Sequence, residues 1–381
     1  MGNTPNIRFK GFTDDWEQRK WIDTVDISTE MVDPTTGEYD DMPHIAPGNI
    51  EPFTGRILDN VKTVKEEQLI SGKFRFRPND VVYGKINPQL GKYFYASIDG
   101  LTSADAYVFN GKNGITQKFL YSVLQTKDFF KYSISVSKRS GMPKINRDEL
   151  NAYSFCVPKE EEQEKIGDFL LGIDNLITLH QRKCDETKKL KKFMLQKMFP
   201  KKDANKPEIR FAGFTDDWEQ RKLNEVAEFN PKSELPDEFE YVDLESVVGT
   251  EMISHRTETK DSAPSRAQRL AQPGDVFFQT VRPYQKNNYL FSKLDNNYVF
   301  STGYAQMRPN IDTAFLMSFL QTDSFVKIVL DNCTGTSYPA INSNDLSNLE
   351  ISLPKSFEEQ KKVGKTIISI DNLITLHQRK C

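Results

Sequence analysis

Polar, basic and aromatic side chains are grouped in two kinds of turn-rich segment along this chain. Segments of the first kind follow an apolar run and contain Lys85, Asn87, Gln89 and Lys92 in the first half, and Arg282, Tyr284, Lys286 and Asn287 in the second. Segments of the second kind contribute Lys138, Arg139, Lys144, Thr336 and Asn342. Such side chains contact phosphates or base edges. We therefore predict that these residues bind nucleic acid, although polar tips of ordinary hairpin loops have the same composition.

Residue patterns that would support catalysis are incomplete in this sequence. Gly364-Lys365-Thr366 matches the end of a phosphate-binding loop, but Glu359 occupies the place of its first glycine and the segment has a helical pattern. His180 and Cys184, repeated as His377 and Cys381, have helical spacing but lack further metal ligands. Packing is the favoured interpretation of those pairs. We predict a protein without catalytic residues, bound metal or cofactor of its own.

A long internal repeat organises the chain. The decapeptide GFTDDWEQRK occurs at 11–20 and again at 213–222, and DNLITLHQRKC occurs at 174–184 and again at 371–381. The first pair is offset by 202 residues and the second by 197. Because this period is far longer than a solenoid repeat, the sequence predicts two tandem copies of a whole domain with constant ends and divergent middles.

Each copy closes with a helical pattern. An acidic first turn at 160–162 precedes apolar residues at alternating spacings of three and four, up to Pro200. A helix over 160–199 would be about 60 Å long at ~1.5 Å per residue. A second pattern over 355–381 continues the same stripe but ends sixteen residues short of its counterpart. We predict that the two helices pair along their apolar stripes.

The middle of each copy is predicted to be rich in strands. The apolar, β-branched runs at 80–86, 275–281, 107–109 and 298–300 favour strands. The segments 119–133 and 315–329 favour one amphipathic helix each. The predicted organisation is a first domain over 1–158, a helix over 159–199, a linker over 200–206, a second domain over 207–354 and a helix over 355–381.

Composition limits the class of protein. The chain has 381 residues, a formal net charge of −3, 37% hydrophobic and 28% charged residues. No apolar run reaches the length of a membrane span or a signal peptide, and no cysteines form a C-x-x-C pair, which predicts a cytoplasmic protein without disulfides. Basic residues are concentrated locally at 73–92, 127–147 and 266–293. Local basic patches can bind phosphates on a protein of small net charge.

Three features together resemble one protein family. The stretches RPNDVVYGKINPQLGKY and AQPGDVFFQTVRPYQKNNY resemble its P-G-D-V…R-P-Y pattern. The stretches GMPKINRDELNAYSFCVPKEEEQEKIG and SYPAINSNDLSNLEISLPKSFEEQKKVG resemble its closing Pro-x-Ile-Asn…EEQ segment. With the duplicated layout of domain and helix, the chain resembles the specificity subunits of type I restriction–modification enzymes.

The resemblance implies an architecture and a set of partners. It implies an α+β fold of two target recognition domains, joined by long helices that pair as an antiparallel coiled coil with pseudo-twofold symmetry. Each domain would read one half of a bipartite site in double-stranded DNA. Two methyltransferase subunits and two restriction subunits would be the partners. S-adenosylmethionine, ATP and Mg²⁺ would then bind to those subunits, and a membrane would not be involved.

Two departures from the family pattern carry their own expectations. Lys85 stands near the place where the family favours Arg-Pro, so it is a looser match than Arg282. The short second helix would leave the seam of the first exposed at Leu190, Phe193, Met194 and Met198. Reduced stability or self-association through that seam is therefore expected.

Two other classes of function stay open at this point. A scaffold that binds only proteins through its coiled coil would also explain the duplicated domain, and would show weak, salt-insensitive DNA binding or none. An enzyme acting directly on nucleic acid would require a catalytic cluster that the sequence does not present.

Overall fold

The structure is a computed structural model, and it describes residues 5–138, 141–201, 204–294, 297–335 and 337–379. The chain folds as two compact units, Met1–Leu179 (unit 1) and His180–Cys381 (unit 2). Each unit combines helices with antiparallel and mixed sheets. The predicted α+β fold of two similar tandem domains is therefore confirmed. The division between the units falls inside the first long helix, so the second half of that helix belongs to unit 2.

Unit 1 supplies the first set of elements. Its strands are β1 (Glu17–Lys20), β2 (Val25–Ile27), β3 (Met31–Val32), β4 (Pro43–His44), β5 (Lys62–Thr63), β6 (Lys73–Phe76), β7 (Val81–Gly84), β8 (Tyr93–Tyr95), β9 (Gly100–Thr102), β10 (Ala106–Gly111) and β11 (Ser154–Val157). Its helices are α1 (Trp21–Thr24), α2 (Val64–Glu67), α3 (Gln117–Leu124), α4 (Lys127–Ser137), α5 (Arg147–Asn151) and the start of α6 (Glu160–Lys197). Short 3₁₀ helices lie at Pro34–Thr36, Pro47–Asn49 and Pro88–Leu90.

Unit 2 repeats much of this order. Its strands are β12 (Glu219–Lys222), β13 (Ala227–Phe229), β14 (Glu238–Val242), β15 (Val247–Val248), β16 (Glu251–Met252), β17 (Arg256–Thr259), β18 (Ala267–Leu270), β19 (Val276–Gln279), β20 (Tyr289–Leu290), β21 (Tyr298–Ser301), β22 (Tyr304–Pro309) and β23 (Glu350–Leu353). Its helices are α7 (Leu223–Val226), α8 (Thr313–Leu320), α9 (Asp323–Asp331), α10 (Ser343–Ser347) and α11 (Phe357–Gln378), with a 3₁₀ helix at Pro283–Gln285.

One sheet recurs in both units and is called the frame sheet here. Its order is β2-β10-β7-β8 in unit 1 and β13-β22-β19-β20 in unit 2, with every pairing antiparallel. The predicted strands at 80–86 and 275–281 are β7 and β19 at its centre, and both are buried throughout. Because central strands are covered on both faces, they have continuous rather than alternating apolar sequences.

The second sheet of each unit differs in composition. In unit 1 its order is β3-β6-β9-β4-β5, and in unit 2 it is β17-β14-β21-β18. The predicted strands at 107–109 and 298–300 belong to different sheets, because the first lies in β10 of the frame and the second is β21. The divergent middles of the sequence therefore map mainly to this second sheet and to the loops around it.

The two middle segments are each two helices rather than the single helix expected. In unit 1 the chain turns after α3, and the Thr126 hydroxyl accepts the Phe129 N–H at the start of α4. In unit 2 Thr322 caps α9 in the same way, and α8 and α9 are bent by 66°. A threonine that caps a new helix supplies an alternative to continuing the old one. The Gln-Thr dipeptide inside each apolar pattern was the signal for this break.

The long helix was predicted correctly, and its second half pairs with α11 inside unit 2. Lys191 Nζ lies 2.5 Å from an Asp371 carboxylate oxygen, and the rings of His180 and His377 are 5.8 Å apart. Because the residue number rises along α6 as that of its partner falls, the two segments run antiparallel. Cys184 is buried on this helix, and its repeat counterpart Cys381 lies outside the described residues. No group of three metal-ligating side chains occurs in the described part of the chain.

The expectation of an exposed seam at the end of α6 is half wrong. Met198 and Phe199 are buried in the core of unit 2, and Met194 packs against that core. Leu190 and Phe193 remain about half exposed, at 48% and 47%. The end of the helix therefore packs into the core of unit 2, where Phe199 contacts Phe315 and Phe319 of α8.

Each helical repeat contains a glycine, Gly167 in α6 and Gly364 in α11, at a point where the helix packs closely against another helix. A Cβ at Gly364 would lie 2.3 Å from the Phe315 nitrogen, and one at Gly167 would lie 2.9 Å from the Phe119 nitrogen. Only glycine allows α6 and α11 to pack this closely against α3 and α8. Gly364-Lys365-Thr366 therefore lies within a helix, as the sequence indicated, and not in a phosphate-binding loop.

None of the helices built from described residues is by itself long and apolar enough to cross a membrane. The bent pair Thr313–Leu320 and Asp323–Asp331 reaches the required length and composition only when taken together. The apolar side chains of both helices contribute to the core of unit 2.

Candidate nucleic-acid interface

A short loop after the central frame strand carries five of the predicted contact residues, Asn87, Gln89, Arg282, Tyr284 and Lys286. It is called the 3₁₀ loop here and comprises 87–91 in unit 1 and 282–286 in unit 2. A proline opens the 3₁₀ turn in both, at Pro88 and Pro283, where its fixed φ suits the first helical position. The two loops therefore have the same backbone conformation although most of their side chains differ.

The residues on either side of each 3₁₀ turn are left-handed. In unit 1 they are Asn87, with φ of 50°, and Gly91, both of which tolerate this region. In unit 2 they are Arg282 and Lys286, with φ of 53° and 56°. A non-glycine residue in this region costs about 1–3 kcal/mol, and such strain is concentrated at functional sites. The unit 2 loop therefore has basic residues at both left-handed positions in spite of the conformational strain that this places on the backbone.

The hydrogen bonds of the two loops show that the counterpart of Arg282 is Asn87 and not Lys85. Asn87 and Arg282 both donate their backbone N–H at 2.8 Å to a proline carbonyl, that of Pro143 or Pro339. Lys85 instead matches Thr280, since the carbonyls of both accept from the isoleucine two residues beyond that proline. The Arg-Pro pair of unit 2 is therefore an Asn-Pro pair in unit 1.

These hydrogen bonds bring the second kind of predicted segment against the first. The tip segment, defined as 138–144 in unit 1 and 334–340 in unit 2, bridges to the strand end at Ile86–Lys144 and Val281–Ala340. Lys138 and Lys144 are exposed, as is Gln89 on the neighbouring loop. Arg139 and Thr336 lie outside the described residues. The fold thus joins segments that are about 50 residues apart in the chain.

Unit 1 presents a basic cluster at this junction. Lys85 Nζ lies 5.0 Å from the centre of the Tyr107 ring and the Arg147 guanidinium carbon lies 5.8 Å from it. Burial lowers the pKa of Lys85, Asp105 opposes that shift, and the positive charges of Lys144 and Arg147 add to it. Positive charges held together in this way favour an anionic ligand. Arg147 was missed from the sequence because its basic patch was read without its position in the fold.

Unit 2 has a different surface at the same place. The Arg282 guanidinium lies over the Tyr338 ring, 4.4 Å from its centre, and forms no ion pair with any described carboxylate. Tyr284 and Tyr338 are exposed at 49% and 63%. Tyr338 was not predicted, and its exposed counterpart in unit 1 is Met142. A guanidinium stacked on an aromatic ring can still donate from its planar edge to a base edge or a phosphate.

Some predicted residues are engaged within the protein. Lys92 Nζ donates to the Pro47 carbonyl at 2.5 Å, and its counterpart Asn287 accepts the Gly249 N–H at 2.8 Å. Lys286 Nζ donates to the Gln321 carbonyl and to Asp323. The Asn342 side chain caps α10 by accepting the Asp345 N–H. These contacts build the loops, and direct binding by these four residues stays a prediction.

A basic cavity of about 360 Å³ lies beside the 3₁₀ loop of unit 2. Lys188, Lys191 and Lys192 line it from the second half of α6, together with Lys286. Lys188 and Lys192 are exposed. The cluster of lysines in α6 appears in the sequence, but only the fold shows that it lies against the loop.

Comparison with known proteins identifies the family. The family model "Type I restriction modification DNA specificity domain" matches residues 13–189 and 215–381, which is most of both units. The chain belongs to this family. It is thus a type I restriction–modification specificity subunit that recognises DNA sequence, as the repeated motifs indicated.

Individual relatives agree with this assignment. The chain is 30% identical to the Type I restriction enzyme EcoDI specificity subunit of Escherichia coli over 161 residues, which is 42% of this chain and 35% of that protein. It is 25% identical to the Putative type I restriction enzyme MjaX specificity subunit of Methanocaldococcus jannaschii, over 96% of this chain and 89% of the relative. The match to EcoDI therefore spans about a third of that relative.

A solved structure shares the fold. The type I restriction–modification S subunit from M. genitalium has a TM-score of 0.67 with this chain at 14% identity, over 99% of this chain and 94% of the other. At this low identity the likeness concerns the fold alone. It agrees with two tandem domains and long helices as the architecture.

Proposed function

We propose that this chain is a non-catalytic recognition subunit whose two units each read one half of a bipartite target in double-stranded DNA. In each unit the reading surface is the 3₁₀ loop together with the tip segment bridged to it. Lys85, Asn87, Gln89, Lys138, Arg139 and Lys144 are the proposed contacts of unit 1. Arg282, Tyr284, Tyr338 and Thr336 are those of unit 2, with Lys188 and Lys192 as additional phosphate contacts.

The observation that supports this proposal most directly is that the two 3₁₀ loops have the same backbone conformation but carry different side chains. Both 3₁₀ loops have a proline-led turn between left-handed residues, and both are fastened to the tip segment by equivalent hydrogen bonds. Their outward side chains nevertheless differ, with Asn87 and Gln89 in one loop and Arg282 and Tyr284 in the other. Asparagine and glutamine match adenine, whereas arginine matches guanine. Two units that recognise different half-sites require a common loop backbone with different side chains.

Partner docking is proposed for an apolar surface that each unit carries on its own copy of the repeated helix. The repeated segment DNLITLHQRKC exposes Leu176 and Leu179 in unit 1 at 57% and 45%, and their counterparts Leu373 and Leu376 at 48% and 46%. Exposed apolar side chains that recur at the same helical positions are typical of an interface. We infer that a methyltransferase subunit covers each surface, with restriction subunits joining the assembly. S-adenosylmethionine, ATP and Mg²⁺ then belong to those partners.

The experiment that tests the proposal is methylome sequencing of a host that expresses this chain with its cognate methyltransferase subunit. We expect a split motif of two short half-sites around a constant gap, and no such motif without this chain. Exchanging 282–286 and 334–340 for another pair of sequences should change one half-site only. A motif that is unchanged by both exchanges would contradict the assignment of the reading surface.

The exposed leucines also favour the scaffold as the second candidate. A scaffold would retain the methyltransferase subunit in a pull-down but would direct no methylation. Changing Leu176 and Leu373 to glutamate should abolish the pull-down under either function. DNA binding by the isolated chain with a steep dependence on salt would support the recognition function, because phosphate contacts release counterions.

A further inference from the structure

A buried glutamine lies beneath the 3₁₀ loop of unit 2. Gln279, the last residue of β19, is 3% exposed. Its Nε2 donates at 2.7 Å to the Val281 carbonyl and at 2.9 Å to Gln285 Oε1. Val281 directly precedes the loop, and Gln285 lies in its 3₁₀ turn. One side-chain amide therefore joins the start of the loop to its turn.

The end of the loop is connected to the same residue through Asn288, which is 1% exposed. Asn288 Oδ1 accepts the Gln279 N–H at 2.9 Å, and the Asn288 N–H donates at 2.9 Å to the Lys286 carbonyl. The three side chains Gln279, Gln285 and Asn288 are called the amide clamp here. Its hydrogen bonds hold the loop on both sides of the segment that carries the left-handed residues.

The amide clamp and the loop above it are both unfavourable in local terms. Gln279 Oε1 and Asn288 Nδ2 are shielded from solvent and find no partner among the described residues. A buried polar group without a partner lowers the free energy of unfolding. Left-handed Arg282 and Lys286 add conformational strain. A strained conformation persists only where the surrounding contacts impose it, and it is concentrated at functional sites.

Unit 1 has no glutamine at the equivalent place. Gly84 and Gln279 both end the central frame strand, and each pairs with the first residue of the next frame strand. Gly84 is therefore the counterpart of Gln279, and it has no side chain that could hold the loop. Leu90 stands in the place of Gln285, and its apolar side chain accepts no hydrogen bond.

The left-handed positions of the unit 1 loop require no such support. They are Asn87 and Gly91, which are residue types that tolerate this conformation. In unit 2 the same positions are Arg282 and Lys286. The amide clamp thus accompanies the loop whose backbone is strained.

We propose that Gln279 is a positioning residue for DNA recognition by unit 2. It imposes the left-handed conformation at Arg282 and Lys286, and so fixes the direction in which Arg282 and Tyr284 meet the DNA. This inference rests on the recognition function proposed above. It adds that the base preference of unit 2 depends on a buried residue that does not touch DNA, whereas that of unit 1 has no such dependence.

The test is competition binding of the assembled methyltransferase to duplexes with single-base changes in either half-site. The half-site of unit 2 is the one that changes when 282–286 and 334–340 are exchanged. Gln279→Ala should reduce discrimination there by about 10-fold, which corresponds to about 1.4 kcal/mol, and should leave the other half-site unchanged. The salt dependence of affinity should stay the same, since no phosphate contact is removed.

Two further variants keep the test independent of folding. Gln285→Leu introduces the residue type of unit 1 at an exposed position, so the fold should tolerate it, and it should have a smaller effect in the same direction. Gln306→Ala is the matched control. Gln306 is also buried in unit 2, and its Nε2 also donates twice, to the Leu270 carbonyl and to Asp275. This control should lower stability without changing base preference.

Lys286→Gly tests the physical cause. Glycine removes the strain at one left-handed position, as Gly91 does in unit 1. Gln279→Ala should therefore reduce discrimination less in the Lys286→Gly chain than in the unaltered chain. Because each comparison is made within one background, the loss of the lysine itself cancels in this double-mutant cycle.

Four outcomes would overturn the proposal and leave the recognition function standing. Unchanged discrimination in Gln279→Ala would show that the loop keeps its conformation without the clamp. An equal loss in both half-sites, or an equal loss in Gln306→Ala, would assign the effect to stability alone. An undiminished effect in the Lys286→Gly chain would exclude backbone strain as the cause. An unaltered complex without base preference in either half-site would instead refute the recognition function, and this inference with it.

Discussion

The two units share a buried ion pair but differ in what covers it. Glu359 of unit 2 accepts hydrogen bonds from Arg210 and from Trp218, beneath Met198 and Phe199. Glu162 of unit 1 accepts from Arg8 in the same geometry, beneath an apolar groove that no described segment fills. The sequences that build the two sites are nearly identical. The difference arises because the end of α6 runs directly into unit 2.

This comparison shows that a duplicated sequence does not ensure duplicated surroundings. Each unit carries the same frame sheet, the same helix-packing glycine and the same ion pair. Chain connectivity then decides which copy of each apolar surface is covered by a neighbouring segment. Functional differences between the units can therefore come from connectivity as well as from the divergent loops.

The largest expected effect comes from emptying the apolar groove of unit 2, which Met198 and Phe199 fill. Phe199→Ala should destabilise unit 2 by about 3–5 kcal/mol, the usual cost of removing a buried phenylalanine. Phe169→Ala, at the open groove of unit 1, should cost no more than about 1 kcal/mol, because this side chain is largely exposed and packs on Phe9. Hydrogen exchange measured peptide by peptide separates the two units. Equal losses in both would show that the two grooves are covered alike.

The next effect tests the close packing of helices in the two units. Gly364→Ala should destabilise unit 2 by about 1–3 kcal/mol or more, since its Cβ would meet the backbone of Ala314 and Phe315. Gly167→Ala should cost somewhat less, because its closest approach, 2.5 Å to the Lys118 Cβ, is longer than the 2.3 Å at Gly364.

Gly172→Ala is the matched control for these two changes. It lies in the same helix as Gly167, with nothing within 4 Å of an added Cβ, so alanine should raise stability by up to about 1 kcal/mol. Urea unfolding monitored by circular dichroism gives the three values. A destabilising Gly172→Ala would mean that close helix packing is not what separates these positions.

A third prediction compares the two reading loops. Arg282→Ala should weaken discrimination at one base pair of a single half-site by about 1–3 kcal/mol. Asn87→Ala, at the equivalent left-handed position, should act on the other half-site. Competition binding of the assembled methyltransferase with single-base variants of the target measures both. Effects of both variants on the same half-site would refute the division of the target between the units.

The smallest effect concerns two equivalent carboxylates. Burial raises the pKa of Asp174, against a hydrogen bond from Gln125. Burial also raises the pKa of Asp371, against the charge of Lys191. A carboxyl with a raised pKa binds protons more tightly in the folded state. Its contribution to stability therefore falls as the pH rises from the unfolded value near 3.9 through the folded pKa.

Asp174→Asn should therefore stabilise unit 1 at pH 7 by about 1 kcal/mol or less, since Asp174 is only partly buried and solvent screens its charge. The advantage should shrink as the pH falls towards about 4, where the aspartate becomes protonated. Asp371→Asn should be unfavourable at pH 7, because it leaves the partly buried Lys191 without its carboxylate. Thermal unfolding across this pH range measures both. An Asp174→Asn advantage that grows on acidification would contradict the sign.

Much of the architecture could be predicted from local patterns. The 3.6-residue period and acidic first turn predicted α6 over 160–199, close to Glu160–Lys197. Continuous apolar runs predicted the central frame strands. The break between α3 and α4 was missed, because an apolar stripe continues through Gln125 and Thr126 while the threonine hydroxyl begins a new helix. The alignment of Lys85 with Arg282 failed because the loop register depends on hydrogen bonds to the tip segment.

The candidate site was predicted only in part, because some of its residues come from segments that are distant in the chain. Asn87, Gln89, Arg282 and Tyr284 lie on the 3₁₀ loops where the sequence suggested. Tyr338 and Arg147 required the fold, because Tyr338 lies 56 residues after Arg282 and Arg147 lies 40 residues after Tyr107, the side chains that they contact.

The sequence by itself determined the duplication, the long helices, the family and the polar loops, because repeats and periodic patterns are local in the chain. Only the tertiary structure decided which side chains meet at the 3₁₀ loops and which of two equivalent grooves is filled. Those outcomes depend on contacts between distant segments and on the path of the chain from α6 into unit 2, and neither is encoded in a local pattern.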